Sequence, residues 1–514
     1  MLRDETPRND KQGAFSLLSC NAVRILLFYG IMSLNVVFVS SEIIPFAKTG
    51  GLADVAGSLP LALKKLGCNV TLFMPLYREV REKKLMGEST GRHIPVMIGR
   101  REVVCELYKS ELEGIPVYFL RKDEYFDRSY LYSMPEGDYF DNLDRFVCFS
   151  KGTLESLLAL GIKPDVIHVN DWQSSLIPAY IKGVYGYHFE NTATLLTIHN
   201  IAYQGLFDKE FFDLTGLPQE FYGVEGFEFW DKMSLLKGGI IYSDMVTTVS
   251  QGYSKEIQTP EYGYGLEGVL SKRSDALHGI LNGVDYGVWN PKTDKFIAAN
   301  YDSKSLKAKD ACKKDALKEY SLKLSENAPL IGIISRLADQ KGFDILSKAM
   351  DELMALDIGI IVLGTGEKKY HELFSELAKR YPKKLGVKIA FDNALSHKIE
   401  AGCDMFLMPS RYEPCGLNQI YSLRYGTIPI VRATGGLDDT IRDYNKGEGN
   451  GFKFVEYSED ALVAKVKEAV KVYSDKKAWQ ALQKKAMAED FSWDVSAKKY
   501  VELYELAVKK ASKP

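Results

Sequence analysis

The chain has 514 residues, of which 46% are hydrophobic, and its formal net charge at pH 7 is -2. This length is too great for one hydrophobic core, so we expect two domains of roughly 200–250 residues each. The nearly neutral charge argues against the strongly basic surface that a nucleic-acid partner requires, and we predict no such partner.

The cysteine and histidine patterns indicate a reducing compartment and no metal site. The seven cysteines include no C-x-x-C pair, and their odd number favours free thiols in the cytoplasm. The seven histidines form no H-E-x-x-H or similar ligand spacing. We therefore predict a cytoplasmic protein that holds neither a metal ion nor another cofactor.

Residues 1–31 are interpreted as an extension outside the folded domains. Residues 14–31 are apolar, but Asn21, Arg24 and Gly30 interrupt the run, which is too broken for a membrane-spanning helix and lacks a clear cleavage site. We predict that the extension is disordered or precedes a later start at Met32, with a targeting peptide as the less favoured alternative. No membrane partner is expected.

From Leu34 onward, short apolar strands alternate with helical segments, which is typical of parallel sheets covered by helices. In the first half, strands are predicted at residues 36–40, 70–74, 166–169, 194–198 and 245–249, with a hairpin or edge strands at 103–108 and 117–120. In the second half, strands are predicted at residues 330–334, 359–362, 387–390, 404–408 and 428–431.

The chain is predicted to divide where Gly, Pro and Asp cluster, at residues 282–293. We assign residues 32–285 and 286–490 to two doubly wound α/β domains and residues 491–514 to a last helix. In such domains, ligands bind at the carboxyl ends of the strands.

The most informative stretch for chemistry is residues 409–440. An acid (Glu413), a thiol (Cys415) and a glycine (Gly416) follow a predicted strand and precede a helical segment at 416–425. Backbone N–H groups at such a junction stabilise an anion, a phosphate above all. Taken singly, however, a glycine turn ends strands in any α/β protein.

The string T-G-G-L-x-D occurs twice, at residues 49–54 and 434–439. Each copy follows a predicted strand and opens a predicted helix. We expect these two anion-binding helix ends, one in each domain, to face each other across a cleft.

Three cations accompany these turns. Arg336 and Lys341 follow the strand predicted at 330–334, and Lys48 directly precedes the first glycine turn. A guanidinium donates a bidentate fork to a diphosphate, and an ammonium provides a point charge. Each cation alone would be interpreted as a surface charge. Together with the helix ends, they predict a site that neutralises a departing diphosphate without a divalent ion.

Several segments together resemble one family: KTGGLADV, IHVNDW, TIHNIAYQG, LNGVD, SRLADQKG and SRYEPCGLNQIYSLRYGTIPIVRATGGL. In this order they resemble the bacterial and plant glycogen (starch) synthase family of retaining glycosyltransferases. The resemblance implies the GT-B fold, in which two Rossmann-like doubly wound domains face a central cleft and the C-terminal helix returns to the first domain. It also implies transfer of glucose from ADP-glucose, or UDP-glucose, to the non-reducing end of an α-1,4-glucan.

The resemblance further implies roles for individual residues. Glu413 resembles the essential acid, Arg336 and Lys341 the pair that holds the diphosphate, Lys48 a phosphate contact from the first domain, and His199 a group near the anomeric carbon. Phe391 matches an aromatic residue that packs on adenine. The other substrate-binding residues implied are Gly50, Gly51, Asp171, Asn200, Asn282, Cys415, Gly416 and Leu417.

Two departures bear on the mechanism. Gln173 stands where His is frequent, which puts any proton transfer at that position in doubt. Many retaining GT-B enzymes carry a second acid eight positions after the first, and Tyr421 occupies that position here. Since no carboxylate is clearly placed as a nucleophile, we favour front-side attack over double displacement. Cys415 is interpreted as a packing residue.

Other interpretations remain open at this stage. A related GT-B transferase could use a UDP-sugar and a small acceptor. A catalytically inactive regulator could bind a nucleotide sugar, although the joint presence of the five predicted catalytic residues argues against it. The Tyr-rich segment at residues 118–146 is either a mobile loop that stacks on glucan or packed structure. The sequence indicates no particular oligomeric state.

Overall fold

The computed structural model describes residues 33–134 and 136–512. Within these residues it contains two α/β domains, each built on its own mainly parallel sheet with its own large hydrophobic cluster. The interpretation of residues 1–31 lies outside the described residues. In the described part of the chain, no helix is both long enough and apolar enough to span a membrane.

The strands of the first domain are β1 (Asn35–Val39), β2 (Asn69–Pro75), β3 (Glu88–Ile98), β4 (Arg101–Leu112), β5 (Ile115–Arg121), β6 (Ser133–Met134), β7 (Gly137–Asp138), β8 (Val166–Asn170), β9 (Ala193–Ile198), β10 (Leu206–Asp208), β11 (Glu228–Phe229), β12 (Lys232–Ser234), β13 (Met245–Thr248) and β14 (Leu277–Gly279). Its helices are α1 (Gly51–Lys65), α2 (Arg78–Glu82), α3 (Asp123–Phe126), α4 (Asn142–Leu160), α5 (Asp171–Ser174), α6 (Leu176–Gly183), α7 (Leu235–Tyr242), α8 (Gln251–Glu256) and α9 (Glu267–Lys272).

The main sheet of this domain has the strand order β14-β13-β9-β8-β1-β2-β5-β4-β3. Neighbours from β14 to β5 are parallel, whereas β4 pairs antiparallel with both β5 and β3. Val36 of β1 lies beside Val70 of β2 and Val166 of β8. Burial on both faces explains why these strands are continuous apolar runs in the sequence.

The predicted hairpin is confirmed as β4 and β5, but β5 is not an edge strand, because it also pairs with β2. The edge strand on this side of the sheet is β3, which apolar periodicity does not predict because the first half of its eleven residues is largely exposed and polar. A small separate sheet, in the order β10-β12-β11, forms between β9 and α7.

The second domain contains strands β15 (Leu330–Ile334), β16 (Gly359–Gly364), β17 (Leu385–Ile389), β18 (Met405–Met408), β19 (Ile428–Arg432) and β20 (Phe452–Phe454). They form a parallel sheet in the order β17-β16-β15-β18-β19-β20. The remaining helices are α10 (Lys309–Glu319), α11 (Phe343–Ala355), α12 (Lys368–Arg380), α13 (Asn393–Gly402), α14 (Asn418–Arg424), α15 (Gly435–Thr440), α16 (Glu459–Ser474), α17 (Lys476–Met487) and α18 (Trp493–Ala511).

Helix α18 returns to the first domain, as predicted. Tyr500 and Tyr504 are fully buried in the hydrophobic cluster of that domain. The imidazole of His168, on β8, lies 2.7 Å from Tyr504 Oη through Nδ1 and 2.6 Å from Thr197 Oγ1 through Nε2. The last helix is therefore tied to the centre of the first sheet by both apolar packing and a buried polar chain.

Most of the Tyr-rich segment is packed structure, which decides between its two interpretations. Tyr118 lies in β5, Tyr125 is buried, and the hydroxyl of Tyr132 donates to Glu42. Tyr130 and Phe140 are exposed exceptions.

Candidate active site

The predicted site residues follow the carboxyl ends of strands in both sheets, and the two domains touch there. Arg336, after β15, donates from Nη1 to Tyr203 Oη of the first domain at 2.8 Å. Gly252 N donates to Asp439 Oδ2 at 2.8 Å in a second contact between the domains. The ends of the two sheets therefore border one shared cleft.

Glu413 is the buried acid of this cleft. It follows β18 and is 5% exposed. Its Oε2 accepts hydrogen bonds from Lys341 Nζ at 2.6 Å and from Ser410 Oγ at 3.1 Å. Lys341 ends a 3-10 turn (Asp339–Lys341) after β15. Two loops from neighbouring strands thus bring the predicted acid and one predicted phosphate contact together.

The guanidinium of Arg336 remains largely exposed beside this pair. Besides Tyr203, it contacts Gln340, whose Oε1 accepts from Nη2 at 3.1 Å. Gln340 in turn donates from Nε2 to the carbonyl of Tyr412, which directly precedes Glu413. Since its two partners are neutral, the positive charge of Arg336 is not cancelled by any carboxylate in the described part of the chain.

Lys48 forms an ion pair within the first glycine turn. Its Nζ lies 2.7 and 2.8 Å from the two carboxylate oxygens of Asp54. Burial raises the pKa of Asp54, and the charge of Lys48 works against that rise. The side chain of Lys48 keeps about a third of its surface exposed (32%), so the ion pair does not enclose the ammonium completely.

The first T-G-G turn is occupied by a carboxylate of the protein itself. Glu42, which follows β1, is 3% exposed and accepts from the backbone N–H groups of Thr49 and Gly50. Its other oxygen accepts from Thr49 Oγ1 at 2.6 Å and from Tyr132 Oη at 2.8 Å. The turn does favour an anion, as predicted, but these N–H groups hold Glu42.

The second T-G-G turn holds Glu256, from α8 of the first domain. Its Oε1 accepts from Thr434 Oγ1 at 2.9 Å and from Gly435 N at 2.7 Å. This differs from the expectation that both turns present their N–H groups to a ligand. The repeated string instead binds one carboxylate in each domain, and the second of these carboxylates joins the domains.

Asp171 and His199 form a polar cluster at the carboxyl ends of β8 and β9. Asp171 has a φ of 51°, in the left-handed region, and its Oδ1 accepts from His199 N at 2.7 Å. Burial raises the pKa of Asp171 to about 7, although backbone N–H groups of His199 and Asn200 lower it. The unusual backbone at Asp171 aims its carboxyl at the loop that carries both residues.

The imidazole of His199 is neutral, because burial lowers its pKa to about 3. Its Nε2 lies 2.9 Å from Oδ1 of Asn170. Asn170 donates its amide N–H to the carbonyl of Val39 at 3.0 Å, which leaves Oδ1 as an acceptor. Nε2 therefore carries the proton, and Nδ1 is the acceptor of the ring.

Cys415 packs against the first domain although it belongs to the second. It is 5% exposed and lies in the hydrophobic cluster of the first domain. Burial raises the pKa of the Cys415 thiol to about 12. The Oδ1 atom of Asn282 is buried without a partner among the described residues. The thiol is therefore protonated at neutral pH and is a poor nucleophile.

Glycines permit the close packing around this cysteine. Gly416 has a φ of 68°, so α14 begins at Asn418, two residues later than predicted. A Cβ atom on Gly436 would lie 2.1 Å from the carbonyl oxygen of Cys415. Gly435 and Gly436 are thus needed where the two loops of the second domain cross.

Phe391 and Tyr421 have contrasting environments. Phe391, after β17, is 80% exposed, so its ring faces are available. Tyr421 is 8% exposed and stacks on Trp289 with ring centroids 3.9 Å apart. The position where many retaining GT-B enzymes carry a second acid is therefore a packing residue that anchors the chain segment between the domains.

The structure brings together the predicted residues Lys341, Glu413 and Arg336, and it pairs Asp171 with His199. Sequence reasoning missed Glu42, Glu256, Tyr203 and Ser410. Tyr203 and Ser410 lie inside motifs that were already singled out, so adjacency could have found them. Glu256 has no local signal, because its partners lie in the other domain.

Comparisons with known proteins agree with this architecture. The family model for the starch synthase catalytic domain matches residues 35–272, and that for glycosyl transferases group 1 matches residues 316–486. The glycogen synthase of Koribacter versatilis is 49% identical over 480 residues, which cover 92% of this chain and 98% of that protein. The glycogen synthase of Thermotoga maritima is 45% identical over 496 residues, which cover 93% and 100%.

A solved structure gives the same result for the fold. The catalytic domain of starch synthase IV from Arabidopsis thaliana, bound to ADP and acarbose, matches with a TM-score of 0.85 and 32% identity, covering 93% of this chain and 100% of that one. This match confirms the predicted GT-B fold. With the two family models and the two bacterial relatives, it shows that the chain belongs to the glycogen synthase family of glycosyltransferases.

Proposed function

We propose that this enzyme transfers glucose from ADP-glucose to the non-reducing end of an α-1,4-glucan with retention of the anomeric configuration. The observation that carries the proposal is the meeting of Arg336, Lys341 and Glu413 at the carboxyl ends of the second sheet, beside the first domain. The related starch synthase structure contains ADP and acarbose, which supports a nucleotide and a glucan-like ligand in such a cleft.

Charge determines the roles in this proposal. Cleavage of the anomeric C–O bond leaves negative charge on the nucleoside diphosphate, and preorganised donors to such charge are worth about 3–4 kcal/mol each. Arg336 and Lys341 supply positive charge from the second domain, and Lys48 supplies it from the first. The backbone N–H groups of Gly416 and Leu417 add hydrogen bonds to the phosphates. Closure of the domains would exclude the water that competes with the glucan hydroxyl.

The transferred glucose is held by the polar cluster of the first domain. Asp171, His199 and Asn200 lie together at the ends of β8 and β9, and the neutral ring of His199 offers Nδ1 as an acceptor for a sugar hydroxyl. In this proposal Asn282, whose Oδ1 has no partner among the described residues, and Gly50 and Gly51, at the start of α1, complete this side of the cleft.

Phe391 stacks on the base of the donor in this proposal. Its exposed ring offers a larger contact to adenine than to uracil, which favours ADP-glucose. UDP-glucose is the alternative donor, and an aromatic face alone would not exclude it.

Retention is assigned to front-side attack, in which the leaving phosphate accepts the proton of the glucan hydroxyl. Tyr421 is stacked on Trp289 and Cys415 is a buried, protonated thiol, so neither supplies a nucleophile for a double displacement. A cytoplasmic location is part of the same proposal, because the cysteine pattern favours a reducing compartment.

The test incubates the full chain with glycogen and either ADP-glucose or UDP-glucose, and it measures release of ADP or UDP. Faster release from ADP-glucose, with products that α-amylase digests, is the expected result. Faster release from UDP-glucose would reassign the donor, and transfer to a small acceptor but not to glycogen would reassign the acceptor. If the wild-type protein binds ADP-glucose without turnover, it is a regulator rather than an enzyme.

A further inference from the structure

A tryptophan is exposed at the tip of a hairpin outside the residues assigned above. Trp230 and Asp231 connect β11 and β12, and the side chain of Trp230 is 81% exposed. Both residues have positive φ values, 52° and 65°, so they form the two-residue turn in which Asn and Gly are usual. A bulky aromatic residue is unfavourable in that backbone region and unfavourable in water, so folding alone does not account for this residue.

The Trp230 indole lies against the turn that carries a second exposed aromatic residue, Tyr264. A Cβ atom on Gly265 would lie 3.4 Å from Trp230 Nε1, which places the indole against the 264–265 turn. Tyr264 in that turn is 45% exposed and also has a positive φ, 51°. Its backbone is held in place by Gln204, whose Nε2 donates to the Tyr264 carbonyl at 2.9 Å.

This aromatic surface is continuous with the candidate active site. The ring of Tyr264 lies 5.9 Å from the ring of Tyr412 in an edge-to-face arrangement. Tyr412 directly precedes Glu413 in the chain. The surface formed by Trp230 and Tyr264 therefore extends to Tyr412 of the second domain, one residue before the buried acid.

Both lysines beside the hairpin tip are paired with carboxylates. Lys209 Nζ lies 2.5 Å from Asp231 Oδ1, and Lys232 Nζ lies 3.6 Å from Asp208 Oδ1. The aromatic surface thus lies beside two lysines that are already paired and beside the carboxylate of Glu228, which accepts from Asp231 N. An anionic ligand such as a nucleotide, a nucleic acid or an acidic peptide is therefore disfavoured there, whereas a neutral ligand with flat C–H faces can pack on the rings.

We propose that Trp230 and Tyr264 form an outer acceptor subsite, in which their rings stack on glucose units of an α-1,4-glucan some distance from the unit that is extended. This inference rests on the proposed function, since it assumes that the acceptor leaves the cleft on this side. It adds to that function a preference for long acceptors over short ones.

The test compares Trp230→Asn with the wild-type full chain. Asn suits the left-handed turn, so the variant should unfold at the same temperature as the wild type or at a higher one. Retardation by glycogen in native gels should weaken about 5- to 10-fold, and the KM for maltoheptaose or glycogen should rise by a similar factor. The kcat and KM with maltotriose should stay within twofold. Trp230→Phe should restore most of the glycogen affinity.

Tyr187→Asn is the matched control. Tyr187 is 90% exposed, but it lies between α6 and β9, at the amino ends of the strands and away from the cleft. This variant should bind glycogen as the wild type does.

Two results would overturn the subsite. One is unchanged glycogen binding by Trp230→Asn, and the other is an equal loss for maltotriose and glycogen. Failure of the proposed function gives a different result, because the wild type would then release no nucleotide with any glucan. The gel measurement needs no turnover, so it still decides whether Trp230 contacts glycogen.

Discussion

The ammonium of Lys341 lies 2.6 Å from the carboxylate of Glu413, and their side chains are 20% and 7% exposed. Ser410 also donates to the same carboxylate oxygen, so Glu413 is held from two sides. An arriving diphosphate would compete with Glu413 for the charge of Lys341. The ion pair therefore keeps the cation in position before the ligand binds, at a place where negative charge later develops.

Glu413→Gln should lower kcat about 10²- to 10³-fold, because the change removes the negative charge while it keeps the size of the side chain. It should also lower the free energy of unfolding by about 1–3 kcal/mol, because it leaves a half-buried ammonium without its partner. Steady-state nucleotide release and urea denaturation measure the two effects.

The control for this prediction is the double variant Lys341→Met with Glu413→Gln. It removes both charges, so much of the lost stability should return, whereas activity should not. An active double variant would show that the pair serves the fold and not the reaction.

Arg336→Lys should be nearly as harmful as Arg336→Ala. The guanidinium contacts Tyr203 and Gln340 from two different nitrogens, a fork that an ammonium cannot reproduce. We expect the kcat/KM for ADP-glucose to fall about 10²-fold in both variants. Tyr203→Phe, which removes one partner of Arg336, should cost less than about tenfold. A fully active Arg336→Lys variant would contradict this assignment.

Much of this site could be predicted from the sequence because its parts are local. Glu413, Arg336 and Lys341 directly follow apolar strands, and a parallel sheet places all carboxyl strand ends on one edge. The T-G-G turns were recognised as anion-binding elements for the same reason. The identity of the anion could not be predicted, because Glu42 and Glu256 reach the turns through tertiary contacts that no local spacing encodes.

The edge strand β3 illustrates a second limit. Residues 88–93 are all polar or glycine and mostly exposed, so this half has no apolar periodicity, and alternate buried residues occur only from Ile94 to Ile98. Pairing with β4 extends the strand into the polar half. The hairpin tip at Trp230 was missed for a related reason, since a Trp-Asp pair is not a usual turn sequence.

Glu256→Gln should loosen the contact between the domains. The carboxylate accepts from Thr434 Oγ1 and Gly435 N, and hydrogen bonds to a charged group contribute about 1.5–3 kcal/mol. We expect a larger radius of gyration in small-angle X-ray scattering and a lower kcat, with no change in circular dichroism. Glu261→Gln, on the exposed surface nearby in the chain, is the control. Identical scattering by the Glu256 variant and the wild type would show that this contact does not hold the two domains together.

Cys415→Ser should retain more than about a tenth of the wild-type kcat, because a protonated thiol with a pKa of about 12 cannot act as a nucleophile at neutral pH. For the same reason, the folded enzyme should resist alkylation at Cys415 at pH 8, and mass spectrometry of the modified peptides measures this. Loss of all activity in Cys415→Ser, or rapid alkylation at this position, would assign the thiol a chemical role.

Asp171→Asn should change how stability depends on pH. The pKa of Asp171 is about 7 in the folded protein and about 3.9 in an unfolded chain. Between these values the unfolded chain has released the proton and the folded protein still holds it, so wild-type stability from this group falls as pH rises. It is fully present below about pH 4 and is lost above about pH 7. The variant lacks this term, so its stability relative to the wild type should rise across the interval, by at most about 1.4 kcal/mol per pH unit, and level off above it.

Urea denaturation at a series of pH values measures the difference. Asp302→Asn is the control, because a hydrogen bond from Ser305 lowers the pKa of Asp302 and confines its effect to more acidic solutions. A pH-independent difference between Asp171→Asn and the wild type would mean that Asp171 is ionised in the folded enzyme throughout this range.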